Sequence, residues 1–155
     1  AAEVTLAIIL ASVTRSFIIC IISIIFFNLL VDVNVIHYHY FITYLLFSSF
    51  FMGSLGFIAG MWAEKFDNMA TVTNFIIVPL SFLSGTFYSI DRLPEVLKEL
   101  SIYNPFFHMI DGLRFSMIGI RDGGESFGLL YLLFLNLVFW FTSYILYKKG
   151  YKIKS

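Results

Sequence analysis

Charged residues and residues able to form cross-links are scarce in this 155-residue chain. Only 13% of the residues are charged, against about 25% in soluble domains, whereas 59% are apolar. Ten basic residues balance ten acidic ones, so no excess of positive charge is available to bind nucleic acid. The single cysteine, Cys20, cannot form an internal disulfide, and no Cys or His at ligand spacing accompanies it. The apolar excess indicates that lipid surrounds most of the chain.

Four apolar runs are long enough to cross a hydrocarbon core of about 30 Å, for which a helix needs roughly 20 residues. They lie at residues 14–31, with a possible extension backwards through residues 6–12, and at 40–61, 71–88 and 127–147. No water is available in the bilayer core to satisfy backbone polar groups, so each run must be helical. The sequence therefore predicts an all-α membrane protein with four transmembrane helices.

The basic residues predict how these spans are oriented, because cytoplasmic loops are enriched in Lys and Arg. Six of them are expected on one side of the membrane: Arg15, which opens the first span, Lys65, Lys148, Lys149, Lys152 and Lys154. The four on the other side are spread over a long segment that also holds six acidic residues. An even number of spans then puts both ends of the chain in the cytoplasm, with the spans in the inner (plasma) membrane.

Three local patterns each have two interpretations. The HYHY run at residues 37–40 is typical of an interfacial aromatic belt; as a metal site it would have no third ligand nearby. Pro79 should bend the third span, either as a static kink or in a moving part. Small residues recur at three- and four-residue spacing in the second span, which favours close helix packing within the chain or at a dimer contact: Ser49, Gly53, Gly56 and Gly60.

The segment 89–125 is neither a span nor a polar loop. Apolar residues at 93, 96, 97 and 100 predict a short amphipathic helix that begins near Pro94. A second helix is expected to start at Asn104 as N-cap, with Pro105 as its first residue, and to end at Gly119. Asp111 and Arg114 lie three residues apart on one face of that helix and can pair. The segment predicts a re-entrant or interfacial helical pair on the non-cytoplasmic side.

Two stretches of this region closely resemble the signature of type-2 ABC exporter permeases: PLSFLSGTFYSIDRLP at residues 79–94 and NPFFHMIDGLRFSMIGI at 104–120. Ser89 stands where many members have Pro, and Ala7 and Ile8 replace an expected Gly-Lys. Ten positions match in order and spacing: Phe82, Leu83, Ser84, Gly85, Leu93, Pro94, Asn104, Pro105, Asp111 and Arg114. Members of the family have six spans, so this chain resembles spans three to six. It begins with Ala, and we expect it to be the C-terminal part of a longer protein.

The resemblance implies a single permease domain over residues 1–155. Residues 1–13 would end a cytoplasmic coupling segment, and 89–125 would form the extracytoplasmic helical pair. Family members work as two permeases with two ABC ATPase subunits, so the expected partners are such an ATPase, a second permease copy and the bilayer. The sequence contains no GxxxxGK[ST] motif, so ATP and Mg²⁺ are expected on the partner, and no cofactor, metal or catalytic residue is expected here. Contact with the ATPase is expected at four residues, whose alternative is a solvated loop: Glu3, Glu64, Lys65 and Asp67.

The expected function is export of an amphipathic substrate, such as a lipid-linked glycan, a lipo-oligosaccharide or a hydrophobic drug. Asp111 and Arg114 would either fix the helical pair or gate the exit path. The alternative function is that of a non-transporting membrane scaffold or assembly protein. An intramembrane enzyme is disfavoured, because the spans offer no convergent acid, base and nucleophile.

Overall fold

The computed structural model describes residues 2–32, 34–63, 65–87 and 92–150, and every regular element in these ranges is helical. The predicted all-α class is confirmed. The elements in chain order are α1 (Ala2–Asn28), α2 (Tyr38–Trp62), α3 (Phe66–Val72), a π-helical turn (Thr73–Ile77), α4 (Val78–Phe82), α5 (Glu95–Ile102), α6 (Pro105–Ile118) and α7 (Glu125–Lys148).

Three of these helices are long and apolar enough to cross a membrane: α1, α2 and the part Phe127–Lys148 of α7. The first begins at Ala2, so the helix of the first predicted span extends backwards through residues 6–12. Its 27 residues give a length of about 40 Å, more than a bilayer core requires. As a consequence, Arg15 lies in the middle of α1 and does not open it. The expectation that residues 1–13 form a coupling segment stays a prediction.

The third predicted span is an uninterrupted helical run from Phe66 to Phe82 with an irregular middle. The backbone N–H of Val78 donates to the carbonyl of Thr73, five residues back, and Pro79 follows directly. Because Pro79 has no N–H to continue the regular ladder, a π-helical turn beside it is physically reasonable. The run is shorter than α1, α2 and α7, and residues 88–91 lie outside the described residues. The fourth crossing therefore stays a prediction.

The helix α2 is the centre of the bundle, and α1, α6 and α7 all pack on it. Its core partners include Met109 of α6 and Leu132 of α7, which are buried together with Tyr44 and Phe51. The amide of Asn136 on α7 donates to the carbonyl of Phe47 at 3.1 Å. Most other large side chains on α1 and α7 are exposed, as expected of surfaces that face lipid.

The packing places the ends of the helices in two groups. The rings of Phe57 and Tyr147 are 6.3 Å apart near the C-terminal ends of α2 and α7, so these two helices run parallel. Gly53 packs on α1, where an added methyl group would lie 3.1 Å from Cβ of Ser12. Ile24 and Phe27, late in α1, line a cavity with Phe41, early in α2, so α1 runs antiparallel to α2. The start of α1 therefore shares one end of the bundle with the ends of α2 and α7. The helices α5 and α6 lie at the other end, and the run from Phe66 to Phe82 connects the two.

The predicted small-residue face is used only in part within the described structure. Gly53 contacts α1, which confirms packing inside the chain at that position. A methyl group added to Gly56 or Gly60 would meet no other atom within 4 Å. These two glycines therefore leave open space.

The contact between α2 and α6 depends on Gly112. A methyl group there would lie 2.2 Å from Cε1 of Tyr44, which is fully buried and cannot move freely. We expect Gly112→Ala to lower the free energy of unfolding by about 1–3 kcal/mol, the usual cost of overpacking. The measurement is reversible denaturation in mixed detergent micelles.

The matched control for this substitution is Gly60→Ala, which also adds a methyl group to a helical glycine but meets open space. It should be neutral or stabilising, because Ala has the higher helix propensity. Equal effects of the two substitutions would contradict the close approach of α6 to α2.

Candidate functional site

The second helix of the pair begins as the sequence predicts, and its N-cap also joins two elements. The Oδ1 atom of Asn104 accepts a hydrogen bond from the backbone N–H of Phe106 at 3.0 Å, and Pro105 is the first helical residue. The Nδ2 atom of Asn104 donates to the carbonyl of Leu80 in α4 at 2.7 Å. One buried side chain thus starts α6 and holds it against α4. The predicted end is also confirmed, since Gly119 adopts φ 72° as C-cap.

The predicted Phe-Leu-Ser-Gly stretch is the turn that ends α4. Phe82 is the last helical residue, and its ring stacks on that of Phe87 at 5.3 Å. Leu83 is the C-cap, and the Ser84 hydroxyl is buried 2.7 Å from that of Thr86. Gly85 has φ 75°, a conformation that other residues rarely adopt. The turn leaves the carbonyl of Gly85 facing α6.

The first helix of the pair follows Leu93 and Pro94. Pro94 is the N-cap of α5, and its carbonyl accepts the N–H groups of Leu97 at 2.9 Å and Lys98 at 3.0 Å. Leu93 is half-buried just before it. The predicted short amphipathic helix is thereby confirmed. Ser89 lies outside the described residues.

The predicted pairing of Asp111 with Arg114 is wrong. Asp111 is 3% exposed, and its Oδ2 atom lies 3.4 Å from Nε of Arg121. The carboxylate also accepts the backbone N–H groups of Asp122 at 2.7 Å and Gly123 at 3.1 Å. The turn after Gly119 folds back over α6 and brings two free backbone donors and a guanidinium to the carboxylate. Together these offer more hydrogen bonds than Arg114 could.

Arg121 is a site residue that sequence reasoning did not single out. Its side chain is 10% exposed and donates to the hydroxyl of Tyr44 in α2. Its guanidinium carbon lies 5.5 Å from the ring centre of Tyr44 and 4.8 Å from that of Phe115, close enough for cation–π attraction. The sequence did contain a signal for Arg121. A carboxylate such as Asp111 in a largely apolar helix needs a cation nearby, and Arg121 lies only two residues after Gly119, where the helix ends.

Arg114 forms a separate link between two turns. Its Nη1 atom lies 2.8 Å from Oδ2 of Asp122, and its Nη2 atom donates to the carbonyl of Gly85. It therefore connects the turn after α4 to the turn before α7, with α6 between them. Arg114, Asp111, Arg121 and Asp122 form one cluster, which we call the polar clasp.

His108 lies beside the polar clasp and packs between aromatic rings. Its Nε2 atom is 2.7 Å from the carbonyl of Ile102, so that nitrogen carries the proton. Burial lowers the pKa of His108, which keeps the ring neutral near pH 7. The ring centres of Phe127 and Tyr131 in α7 are 5.5 Å and 5.1 Å away. His108 thus fills the corner between α5, α6 and α7.

His37, from the HYHY run, stacks on Phe115 of α6 at 5.1 Å between ring centres, and its backbone N–H donates to the carbonyl of Ser116. Within the described ranges, no group of three or more His, Cys, Asp and Glu side chains could hold a metal ion. The contacts of His37 are those of a packing residue.

Three of the four predicted ATPase contacts lie at the opposite end of the bundle from the polar clasp. Glu3 is exposed in the first turn of α1. Lys65 and Asp67 are exposed at the start of α3, directly after the end of α2. Glu64 lies outside the described residues. The contact of Glu3, Lys65 and Asp67 with an ATPase stays a prediction, and α1 and α3 do not contact each other in the described structure.

The carboxylate of Asp111 should be the most sensitive position of the polar clasp. Asp111→Asn removes the charge opposite Arg121 and replaces one acceptor oxygen with an NH₂ group. We expect the free energy of unfolding to fall by about 3–5 kcal/mol, as is usual when a buried ion pair loses one partner. Denaturation in mixed micelles measures it, and Asp32→Asn, at an exposed loop residue, is the control.

The double variant Asp111→Asn/Arg121→Gln tests whether these two groups act as a pair. Its loss of stability should be smaller than the sum of the two single losses, because each single change leaves an unpaired charge that the other removes. Additive losses would mean that the two side chains are not energetically coupled.

Comparison with known proteins agrees with this architecture. The family described as ABC-2 type transporter matches residues 1–118, which is most of the chain. The inner membrane transport permease YadH of Escherichia coli (strain K12) is 33% identical over 102 residues, which make up 64% of this chain and 39% of that permease.

Nodulation protein J of Rhizobium leguminosarum bv. viciae is 32% identical over 66 residues, or 43% of this chain and 26% of that protein. The matched segment thus spans well under half the length of these relatives. No solved structure matches the chain. Three helices of the described structure are long and apolar enough to span a membrane, as expected of a multi-pass member of this family. The chain belongs to the ABC-2 type transporter family.

Proposed function

We propose that this chain is the membrane subunit of an ATP-driven exporter that moves an amphipathic substrate out of the cytoplasm. The observation that carries this proposal is membership of the ABC-2 type transporter family. The 155 residues hold no Gly-Lys pair and therefore no P-loop to cradle ATP phosphates. ATP and Mg²⁺ would be bound by a separate ABC ATPase subunit, and a second permease copy would complete the transport path as a homodimer.

The proposed orientation puts the end of the bundle that carries Glu3, Lys65 and Lys148 in the cytoplasm. Lys148 and Lys149 follow the apolar part of α7 directly, the placement that the positive-inside rule weights most. The helical run from Phe66 to Phe82 then serves as the fourth crossing, since it connects the two ends of the bundle. The polar clasp and the helices α5 and α6 would lie on the outer side.

The proposed ATPase contact is the surface of Glu3, Lys65 and Asp67. All three side chains are exposed and lie at one end of the bundle. They belong to the start of α1 and to the turn between α2 and α3. A push on this surface would therefore reach two helices at once. One of them leads, through the π-helical turn, to α4 and the polar clasp.

For Asp111 and Arg114 we propose a structural role. Both side chains form hydrogen bonds with backbone groups of neighbouring turns. Replacing either one would therefore mainly weaken the attachment of α6 to those turns. A gate for the exit path is the other function considered for them.

The amphipathic nature of the cargo is supported by the apolar surface that the bundle offers. A groove of about 390 Å³ lies between α1, α2 and α7 and is lined by residues that include Leu46, Phe50 and Trp140. Such a surface suits the hydrocarbon part of an amphiphile better than a fully polar solute.

Affinity purification of the full-length protein from membranes tests the ATPase partnership. We expect an ABC ATPase to co-purify, and we expect replacement of its P-loop lysine to abolish export. Recovery of a permease without any ATPase would refute the proposal and favour the membrane scaffold.

Charge reversal in the same experiment tests which residues contact the ATPase. The double variant Lys65→Glu/Asp67→Lys should reduce the amount of ATPase recovered several-fold, since both side chains are exposed at the proposed contact. Asp32→Lys reverses a charge at the opposite end of the bundle and should leave the recovery unchanged. Equal recovery with all variants would remove these residues from the contact.

Thiol labelling in intact cells tests the orientation. After Cys20→Ala, a membrane-impermeant maleimide added from outside should label Val96→Cys, because Val96 is 69% exposed on α5, and should spare Ser155→Cys. The reversed pattern would invert the proposed topology. Labelling of Ser155→Cys after membrane permeabilisation shows that this thiol can react.

A further inference from the structure

Arg15 is a charged residue in the middle of a candidate membrane span. It is the only charged residue of α1 besides Glu3, and thirteen helical residues precede and thirteen follow it. It lines a groove together with Ser49, which lies near the middle of α2. Arg15 therefore lies at about half the height of the bundle, where an uncompensated charge is costly in a bilayer.

The helices around Arg15 offer no counter-ion at this height. Along α1, α2 and α7 the acidic residues are Glu3 and Glu125, each at the start of a helix. Among the described residues, Arg15 makes no ion pair, and its side chain is exposed. Within the described ranges, no acidic side chain therefore neutralises the charge of Arg15.

The groove beside Arg15 has a volume of about 340 Å³ and a mixed lining. The hydroxyls of Ser12 and Ser16 donate to carbonyls of their own helix, at 3.2 Å and 3.0 Å. Ser49 differs from them: it is 6% exposed and lines the groove, yet its hydroxyl has no hydrogen-bond partner in the described part of the chain. Arg15 and Ser49 thus line the same groove, and neither side chain has a polar partner among the described residues.

The remaining walls of the groove leave room for an apolar chain. Gly53 and Gly56 carry no side chains, and a methyl group at Gly56 would meet nothing within 4 Å. Ile8, Met52 and Phe57 supply apolar surface on either side. A molecule with an anionic oxygen group and a hydrocarbon chain matches both parts of this lining.

We propose that the groove between α1 and α2 binds the anionic headgroup of a membrane amphiphile, with Arg15 and Ser49 as its hydrogen-bond donors and Gly56 providing the space. The guanidinium can offer two parallel N–H groups to a phosphate or carboxylate, and the Ser49 hydroxyl can offer a third donor. A free inorganic anion does not suit the site, because it would have to enter a groove flanked by lipid-facing surface. The binding does not depend on export or on an ATPase.

Lipid binding to the full-length protein in neutral detergent tests this site, with phosphatidylglycerol as the anionic probe and phosphatidylcholine as the zwitterionic one. Native mass spectrometry measures the bound fraction. We expect wild-type protein to prefer phosphatidylglycerol. Arg15→Gln should weaken its binding about tenfold and Ser49→Ala about threefold, whereas Arg15→Lys, which keeps the charge, should stay within about threefold of wild type.

A second pair of variants separates loss of the site from loss of fold. Gly56→Leu fills the groove without touching Arg15 and should also weaken binding about tenfold. Gly60→Leu adds the same side chain to the same helix outside the groove and should bind as wild type does. Unchanged phosphatidylglycerol binding in both Arg15→Gln and Gly56→Leu would overturn the proposal.

The molecules that co-purify with the full-length protein distinguish the two possible sources of the headgroup. Solvent extracts of wild type and Arg15→Gln are compared by mass spectrometry. A glycerophospholipid depleted in the variant identifies a bilayer lipid as the occupant, and another anionic amphiphile depleted in it identifies a cargo molecule. If the variant instead loses a protein subunit while its lipids are unchanged, Arg15 pairs with a protein carboxylate and the proposal is wrong.

Discussion

The buried carboxylate of Asp111 is the interaction on which the non-span part of this structure depends. A carboxylate that is 3% exposed is stable only if it is neutralised and hydrogen-bonded. Here the neutralising group and both backbone donors come from the turn at residues 121–123. The hydrogen bonds to Asp111 therefore fix the conformation of that turn. Because α7 follows directly, they also fix where α7 begins to pack along α2.

Three polar contacts attach the helical pair to the apolar helices. Asn104 holds the carbonyl of Leu80, Arg114 holds that of Gly85, and Arg121 reaches the hydroxyl of Tyr44. Two of these contacts end on α4 or its turn, and the third ends on α2. If the run from Phe66 to Phe82 is displaced, α6 has to move with α4 or lose two hydrogen bonds. These hydrogen bonds therefore couple the position of the helical pair to that of the helical run with the π-helical turn.

Local patterns predicted the helix boundaries well. Asn104, Pro105 and Gly119 define α6 through capping chemistry that involves only neighbouring residues, and the structure places all three as expected. The partners of Asp111 and Arg114 were predicted wrongly from the same kind of local reasoning. A spacing of three along a helix shows which groups can meet. It does not show whether a turn ten residues later offers a better partner.

The amino-acid sequence by itself determined the membrane environment, the helical class, the caps of α6 and the family, because these follow from composition, hydrophobic run length and short-range hydrogen bonding. Only the tertiary structure decided that Arg121 neutralises Asp111, that Gly112 admits the ring of Tyr44, and that Arg15 lies at mid-height beside an unpartnered Ser49. These facts depend on how α1, α2, α6 and α7 approach one another. That approach is set by packing between residues far apart in the chain, which no local pattern encodes.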